Sequence, residues 1–145
     1  MPLTDTQTDQ PLIDLLHARG QRVTPQRIVI NRLVRARDSH LTADEVHAAV
    51  ARDLPGTSAP TVYATLDLLA ELGLVRRIDA GTGATLYDAR TEPHGHSACR
   101  RCGAVADIDA TADLSPLEHA AQRTGFRPQG VEVVVSGLCR RCASS

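Results

Sequence analysis

The chain has 145 residues, 42% of them hydrophobic and only 2% aromatic, with a net charge of −1. This length fits one domain or two small ones, and small cores with so few aromatic side chains depend on a structural metal or a partner subunit. No apolar run approaches the length of a membrane span, so no membrane partner is expected. The neutral total hides a basic patch, because the stretch between Asp14 and Asp38 holds six arginines and no acid.

Four helices are predicted in the first half of the chain, each bounded by residues typical of helix ends. Their boundaries in chain order are Pro11 to Gly20, Thr24 to Val34, Thr42 to Pro55 and Ser58 to Gly73. The clearest signal is the run Thr42-Ala43-Asp44-Glu45, a capping box in which each side chain can accept from the other residue's backbone N–H.

After Gly73 the apolar pattern changes from helical to alternating. Residues 74–78 and 84–88 are predicted strands, joined by a glycine-rich turn. Helices followed by a hairpin predict a winged helix-turn-helix, whose Ser58 helix enters the major groove while the hairpin and the segment near Arg22 touch phosphates. A small packed domain is the plainer alternative, but the small, hydroxyl-rich start of that helix favours a surface that reads DNA.

The rest of the chain reads as a linker at 89–93 followed by strands at Val105–Asp109 and Val131–Ser136. Between these strands a second capping box, starting at Ser115, predicts a helix that ends at Gly125. The valines of the last strand alternate, and the short sheet offers an unpaired edge that a symmetry mate could occupy. The predicted fold class is therefore α+β, with a winged-helix DNA-binding domain at 1–88, a hinge at 89–93 and an α/β dimerisation and metal-binding domain at 94–145.

All four cysteines lie in two Cys-Arg-Arg-Cys pairs, at 99–102 and 139–142. Four thiolates in two such pairs can close a tetrahedron around Zn2+, and closed sites of this kind are structural. Disulfides and a redox centre are the alternatives. The polar first ten residues carry no signal peptide and indicate a reducing, cytoplasmic setting, and Gly103 follows the first pair where a redox motif should open a helix. We therefore expect structural zinc on Cys99, Cys102, Cys139 and Cys142.

His94 and His96 stand just before the first cysteine pair and are not needed for a four-thiolate site. They indicate a second metal site with nitrogen and oxygen ligands and a different task. By contrast, His17, His47 and His119 fall in predicted helices without clustered partners, so we interpret them as ordinary surface or cap histidines.

The motif order Arg-Val-Thr-Pro-Gln-Arg at 22–27, Thr-Val-Tyr-Ala-Thr-Leu at 61–66, His-Gly-His at 94–96 and the two cysteine pairs resembles the ferric uptake regulator family of bacterial repressors. The resemblance runs from about Leu12 to Cys142. It implies a homodimeric repressor that binds double-stranded operator DNA, with no small-molecule substrate. The residues expected to contact DNA are Arg22, Arg27, Ser58, Thr61 and Tyr63.

The resemblance also implies a regulatory metal whose ligands lie at His40, Asp88, His94, His96 and Asp107. Three imidazoles and two carboxylates suit Mn2+ or Fe2+, whereas a zinc sensor would more often use a thiolate. Asp109, two residues further along the same predicted strand, is the alternative to Asp107. Two departures from the family pattern stand out. Ala64 replaces a larger polar residue, and Gln129-Gly130 stand where many relatives carry histidine, so a third metal site is not expected.

An aspartate at position 107 resembles the peroxide-sensing branch of the family. There, Fe2+ at the site reacts with hydrogen peroxide and a ligand histidine is oxidised, here His40 or His94, which releases metal and DNA, while the Mn2+ form resists. A manganese-uptake or iron-uptake regulator with the same ligands is the alternative. A zinc-ribbon interaction module and a mononuclear metalloenzyme are alternatives of another class. The chain carries no catalytic motif such as His-Glu-x-x-His, so an enzyme is not expected.

Overall fold

The computed structural model describes residues 6–36, 40–81, 83–92, 94–109 and 113–145. These residues form two compact units. The N-terminal unit comprises the described residues up to Asp79 together with Ala84–Thr91, and the C-terminal unit comprises Ala80–Gly83 and the described residues from Glu92 onward. Helices and strands occur in both units, so the predicted α+β class is confirmed. None of the helices described is long and apolar enough to span a membrane.

Within the described residues, the N-terminal unit contains four helices and a three-stranded antiparallel sheet with the strand order β1-β3-β2. The elements are α1 Thr6–Ala18, α2 Pro25–Arg35, β1 Leu41–Thr42, α3 Ala43–Asp53, α4 Ala59–Glu71, β2 Arg76–Ile78 and β3 Leu86–Asp88. The predicted hairpin is confirmed as β2 and β3, in which Arg77 pairs with Tyr87. The short strand β1 was not predicted; it pairs with the other side of β3.

The predicted starts of α2, α3 and α4 are confirmed by their caps. The Thr24 hydroxyl accepts from the Arg27 N–H at 3.3 Å, and the Ser58 hydroxyl accepts from the Thr61 N–H at the same distance. At α3 the full capping box forms, with the Glu45 N–H donating to the Thr42 hydroxyl at 3.2 Å and the Thr42 N–H to the glutamate at 2.8 Å. These helix starts follow from contacts between residues three apart, which is why the sequence alone predicts them.

Helix α1 begins at Thr6, so the prediction that it begins at Pro11 is wrong. Pro11 removes one backbone donor from this helix, a loss of the kind that normally stops or kinks a helix. Distant contacts outweigh it. The Arg32 guanidinium of α2 forms a bidentate ion pair with Asp9, which is only 5% exposed, with the Nε–Oδ1 distance at 2.9 Å. Leu12 of the same helix is fully buried.

The core of the N-terminal unit is aliphatic and well packed. Eight of its side chains have no exposed surface, namely Leu12, Leu16, Ile30, Val46, Val50, Val62, Leu66 and Leu69. Each burial of this kind is worth about 1.5–3 kcal/mol relative to the exposed side chain. Asn31 lies in the same interior at 1% exposure, and neither its amide nitrogen nor its amide oxygen has a hydrogen-bond partner among the described residues.

The C-terminal unit contains a second three-stranded sheet with the order β5-β4-β6, in which β4 runs antiparallel to β5 and parallel to β6. Its described elements are β4 Gly95–Cys99, β5 Val105–Ile108, α5 Ser115–Gln122, β6 Val134–Gly137 and α6 Arg140–Ala143. The central strand β4 was not predicted, because His-Gly-His-Ser-Ala-Cys lacks both β-branched residues and apolar alternation. Pairing on both sides makes it a strand.

Two further predictions for the C-terminal unit are wrong in detail. The last strand begins at Val134 rather than Val131, and Val135 is 55% exposed, so the alternating valines do not bury one face within a single chain. Helix α5 has no capping box, because Ser115 already lies in its first turn and its N–H donates to the Asp113 carboxylate at 3.0 Å. This helix ends at Gln122, before Gly125.

Candidate metal centres and nucleic-acid interface

The zinc site predicted for the cysteines lies at one end of the C-terminal sheet. Strands β4 and β6 are parallel and pair Cys99 with Gly137, so both strands end together and each leads into one cysteine pair. The four Sγ atoms lie within 4.8 Å of one another, and those of Cys102 and Cys139 are 3.7 Å apart. The cysteines are thiols rather than disulfides.

The thiols differ in acidity for reasons visible in the knuckle turns. The backbone amides of Cys102 and Cys139 lower the pKa of the Cys99 thiol to about 5. Contact with the Cys139 sulfur and burial raise the pKa of Cys142 to about 12. Four sulfurs this close cannot all carry negative charge without a cation, and Zn2+ supplies it while accepting tetrahedral thiolate ligands. The donor set therefore fits structural zinc.

Two of the predicted regulatory ligands meet in the N-terminal unit. His40 immediately precedes β1 and Asp88 ends β3, and the pairing of Leu41 with Tyr87 places them next to each other. The His40 Nε2 lies 3.3 Å from the Asp88 Oδ2, with both side chains nearly buried. The backbone N–H of Arg90 donates to the other Asp88 oxygen at 2.8 Å, which orients the carboxylate.

The other three predicted ligands meet in the C-terminal unit. The β4–β5 register places His96 opposite Asp107, and the Asp107 Oδ1 lies 3.0 Å from the His94 Nε2 and 3.3 Å from the His96 Nε2. The His94 Nδ1 lies 2.7 Å from the Glu92 carbonyl oxygen, so Nδ1 carries the proton and Nε2 is left as the ligand atom. Asp109 lies beyond the end of β5.

The predicted DNA-contacting residues lie around the starts of α4 and α2, where Arg22 precedes α2 and Arg27 lies in its first turn. Tyr63 is 47% exposed on α4, as a groove-reading side chain requires. The Ser58 hydroxyl caps the helix and lies 2.9 Å from the Thr61 hydroxyl, so both hydroxyls also serve the helix start. The Arg27 guanidinium donates to the Arg22 carbonyl, which braces the loop and leaves the Arg22 side chain exposed.

The basic patch is smaller than its sequence suggests, because Arg32 is neutralised by Asp9. Sequence reasoning missed this pair, whose members lie 23 residues apart. It also gave no role to the arginines inside the two cysteine pairs. The sequence feature that could have indicated a role for these arginines is the same Arg-Arg dipeptide between the cysteines of both pairs.

A winged helix-turn-helix unit joined to a unit with a cysteine knuckle site and a cluster of two histidines and an aspartate is typical of a metal-binding transcription regulator. The family model described as "Ferric uptake regulator family" matches residues 18–136, and the chain belongs to this family. It is a metal-dependent transcriptional repressor and not an enzyme.

Relatives within the family are similar over most of their length. The peroxide-responsive repressor PerR of Staphylococcus saprophyticus is 33% identical over 131 residues, which cover 90% of this chain and 88% of that protein. The solved peroxide stress regulator of Campylobacter jejuni is 29% identical with a TM-score of 0.67, covering 90% of this chain and 98% of that one. A zinc uptake regulator complexed with zinc and DNA is 26% identical with a TM-score of 0.69, covering 97% and 96% of the two chains.

Proposed function

We propose that the chain is a peroxide-responsive repressor whose regulatory Mn2+ or Fe2+ is held by His40, Asp88, His94, His96 and Asp107. The donor chemistry supports this assignment most directly. All five side chains offer nitrogen or oxygen, while the four thiolates are gathered in a separate site. Hard oxygen and imidazole donors suit Mn2+ and Fe2+ better than a set containing thiolates.

In this proposal one ion takes donors from both units. His40 and Asp88 belong to the unit with the winged helix, and His94, His96 and Asp107 to the other unit. Asp88 precedes His94 by only six positions, so an ion held by both would restrain the short segment between them. The ion then favours one arrangement of the reading helices over others, by its differential affinity for that arrangement.

The peroxide response rests on the same histidines. Bound Fe2+ supplies the activation of hydrogen peroxide at this site. One peroxide oxygen is inserted into a ring C–H bond of His40 or His94 and the other leaves as water, so the ring loses two electrons and peroxide gains two. An oxidised ring is a poorer ligand, and loss of the ion releases DNA.

We further propose that the repressor acts as a cytoplasmic homodimer on double-stranded operator DNA, with Arg22, Arg27, Ser58, Thr61 and Tyr63 at the interface. The exposure of Tyr63 on α4 and of the Arg22 side chain supports this role. The similar zinc uptake regulator was solved complexed with zinc and DNA. Tyr63→Ala should weaken operator binding more than binding to random duplex, since base contacts specify and phosphate contacts only position.

The decisive experiment titrates DNA binding against Mn2+, Fe2+ and Zn2+, with and without hydrogen peroxide, for the wild type and His94→Ala. His119→Ala is the matched control, since His119 is exposed on α5 and lies outside both metal-binding groups. We expect His94→Ala to keep its zinc and lose metal-dependent DNA binding, and the control to behave as wild type. Because metal and DNA binding are coupled reciprocally, operator DNA should tighten Mn2+ binding by the same factor.

Mass spectrometry of peptides distinguishes histidine oxidation from the alternative mechanisms. In the Fe2+ form, peroxide should add one oxygen atom to His40 or His94, and the Mn2+ form should stay unmodified. DNA release with both histidines intact and the cysteines oxidised would point to a thiol switch instead. An Fe2+ form that ignores peroxide would favour a manganese-uptake or iron-uptake regulator, for which the same hard donors are equally suited. A count of one metal per chain would favour a plain zinc module.

A further inference from the structure

The two zinc knuckles place four arginines at one end of the C-terminal sheet. Strands β4 and β6 are parallel and end side by side. Arg100 and Arg101 come directly after Cys99, the last residue of β4, and Arg140 and Arg141 come directly after Cys139, just beyond the end of β6. The Arg101 guanidinium donates to the Cys142 carbonyl at 3.0 Å, which ties the two knuckles together. We call these four residues the knuckle arginines.

The knuckle arginines bring more positive charge than is needed to balance the negative charge of a four-thiolate zinc site. Four thiolates around Zn2+ leave two negative charges, and four guanidinium groups bring four positive ones. No aspartate or glutamate lies at 94–106 or 133–145 to balance the excess. All four side chains are exposed, and Arg100, Arg140 and Arg141 make no side-chain hydrogen bond or ion pair with any residue that the structure describes.

We propose that Arg100, Arg140 and Arg141 form a contact surface for the phosphate backbone of double-stranded DNA, separate from the winged helix. The proposal rests on the DNA-binding function proposed above. Exposed, unpaired guanidinium groups match phosphate oxygens in geometry and in charge. Such contacts position a protein on DNA without reading sequence, so this surface acts on operator and random duplex alike.

The test compares two double variants of the zinc-loaded, full-length protein on a random-sequence duplex across a salt series. Arg140→Ala with Arg141→Ala removes two knuckle arginines. Arg123→Ala with Arg127→Ala removes two exposed arginines of the same unit and the same charge. We expect the knuckle variant to flatten the plot of log K against log salt by about 1.8, at roughly 0.9 per phosphate contact, and the control to keep the wild-type slope.

Each other outcome has a distinct meaning. A wild-type protein that binds no duplex in any metal form defeats the proposed function itself. A wild-type protein that binds DNA, with both doubles at the wild-type slope, overturns the contact surface. Equal flattening by both doubles overturns it too, since net charge alone would then explain the change. Loss of zinc from the knuckle variant without a change in slope assigns these arginines to charge balance at the metal.

Arg101 differs from the other three because its side chain is engaged. Its Nη1 lies 3.0 Å from the Cys142 carbonyl oxygen and 3.2 Å from the Ser145 hydroxyl, and that hydroxyl donates to the same carbonyl at 3.1 Å. Independently of any DNA contact, we infer that Arg101 is a positioning residue that holds the buried Cys142 in place for zinc. Partners that orient metal ligands typically change metal affinity by about 10–100-fold when removed.

Arg100 provides a matched control, because it is the neighbouring arginine of the same knuckle and has no side-chain partner in the described chain. We expect Arg101→Ala to bind zinc about 10–100-fold more weakly in a competition with a coloured chelator, with Arg100→Ala close to wild type. Arg101→Lys should fall between them, since an ammonium group can replace the bond to the carbonyl. Equal zinc binding by Arg101→Ala and Arg100→Ala would overturn the inference.

Discussion

The two units of this repressor are stabilised in different ways. In the N-terminal unit, leucine, valine and isoleucine side chains from four helices fill the interior. In the C-terminal unit, the buried apolar side chains of the described residues are Ala80, Ala98, Cys99 and Cys142, and α5 buries none. Two of these four belong to the cysteine cluster whose donor set fits structural zinc, so a bound ion would take the place of a core.

Because of this difference, the two units should depend on metal to different degrees for their folding. A unit with its own aliphatic core should fold whether or not metal is present, which suits a DNA-binding unit. A unit without such a core leaves Leu117, Phe126, Val135 and Leu138 about half or more exposed. Such a unit would need the proposed zinc and the proposed partner subunit to bury surface. If this division between the units holds, changes to the zinc site and changes to the aliphatic core should each affect one unit only.

Removing zinc should unfold the C-terminal unit and leave the N-terminal unit folded. Structural zinc contributes about 10–16 kcal/mol in small zinc domains, far more than the few buried side chains here can replace. Hydrogen exchange of chelator-treated protein and of Cys99→Ser should show rapid exchange at 95–108 and continued protection at 59–71. Adding zinc back should restore protection at 95–108 in the chelator-treated wild type but not in Cys99→Ser. Protection of both regions in a zinc-free dimer would refute the division.

Leu66→Ala should destabilise only the N-terminal unit. Leu66 is fully buried on α4, and such truncations cost about 2–5 kcal/mol because they leave a cavity. Thermal unfolding followed by hydrogen exchange should show the loss at 59–71 with zinc content unchanged. The control Glu71→Ala removes an exposed side chain of the same helix, and it should change stability by less than about 0.5 kcal/mol. Zinc loss from Leu66→Ala would show that the two units fold as one.

Asn31→Leu should stabilise the N-terminal unit. Asn31 is buried, and its two amide atoms have no partner in the described part of the chain. Burying an unsatisfied polar group costs about 1–3 kcal/mol. Leucine has the same number of side-chain heavy atoms and the same branching but no polar atom. The substitution removes that cost, so urea unfolding should shift to higher concentration with an unchanged slope. Asn31→Asp is the opposing control, which should be destabilised by the buried charge. An unchanged midpoint for Asn31→Leu would show that the amide is satisfied by an ordered water.

The smallest effect is expected at the start of α5. The Ser115 hydroxyl and N–H lower the pKa of the Asp113 carboxyl, so the ionised form is favoured when the helix is folded. Asp113→Ala should speed amide exchange at 115–118 without changing zinc content. Gln122→Ala, at the other end of α5, should leave amide exchange at 115–118 unchanged. Unchanged exchange at 115–118 would mean that zinc and the sheet, rather than this cap, hold the helix.

Features that depend on neighbouring residues could be predicted from the amino-acid sequence. The caps at Thr24, Thr42 and Ser58 and the two cysteine knuckles each involve residues three positions apart, so the local pattern predicts them. The remaining features depend on contacts that form only when the chain has folded. Strand β4 and the early start of α1 exist because distant partners pair with them, and Asp107 meets His96 because of the β4–β5 register. Such contacts join residues far apart in the chain, and their energies appear only once the chain has folded.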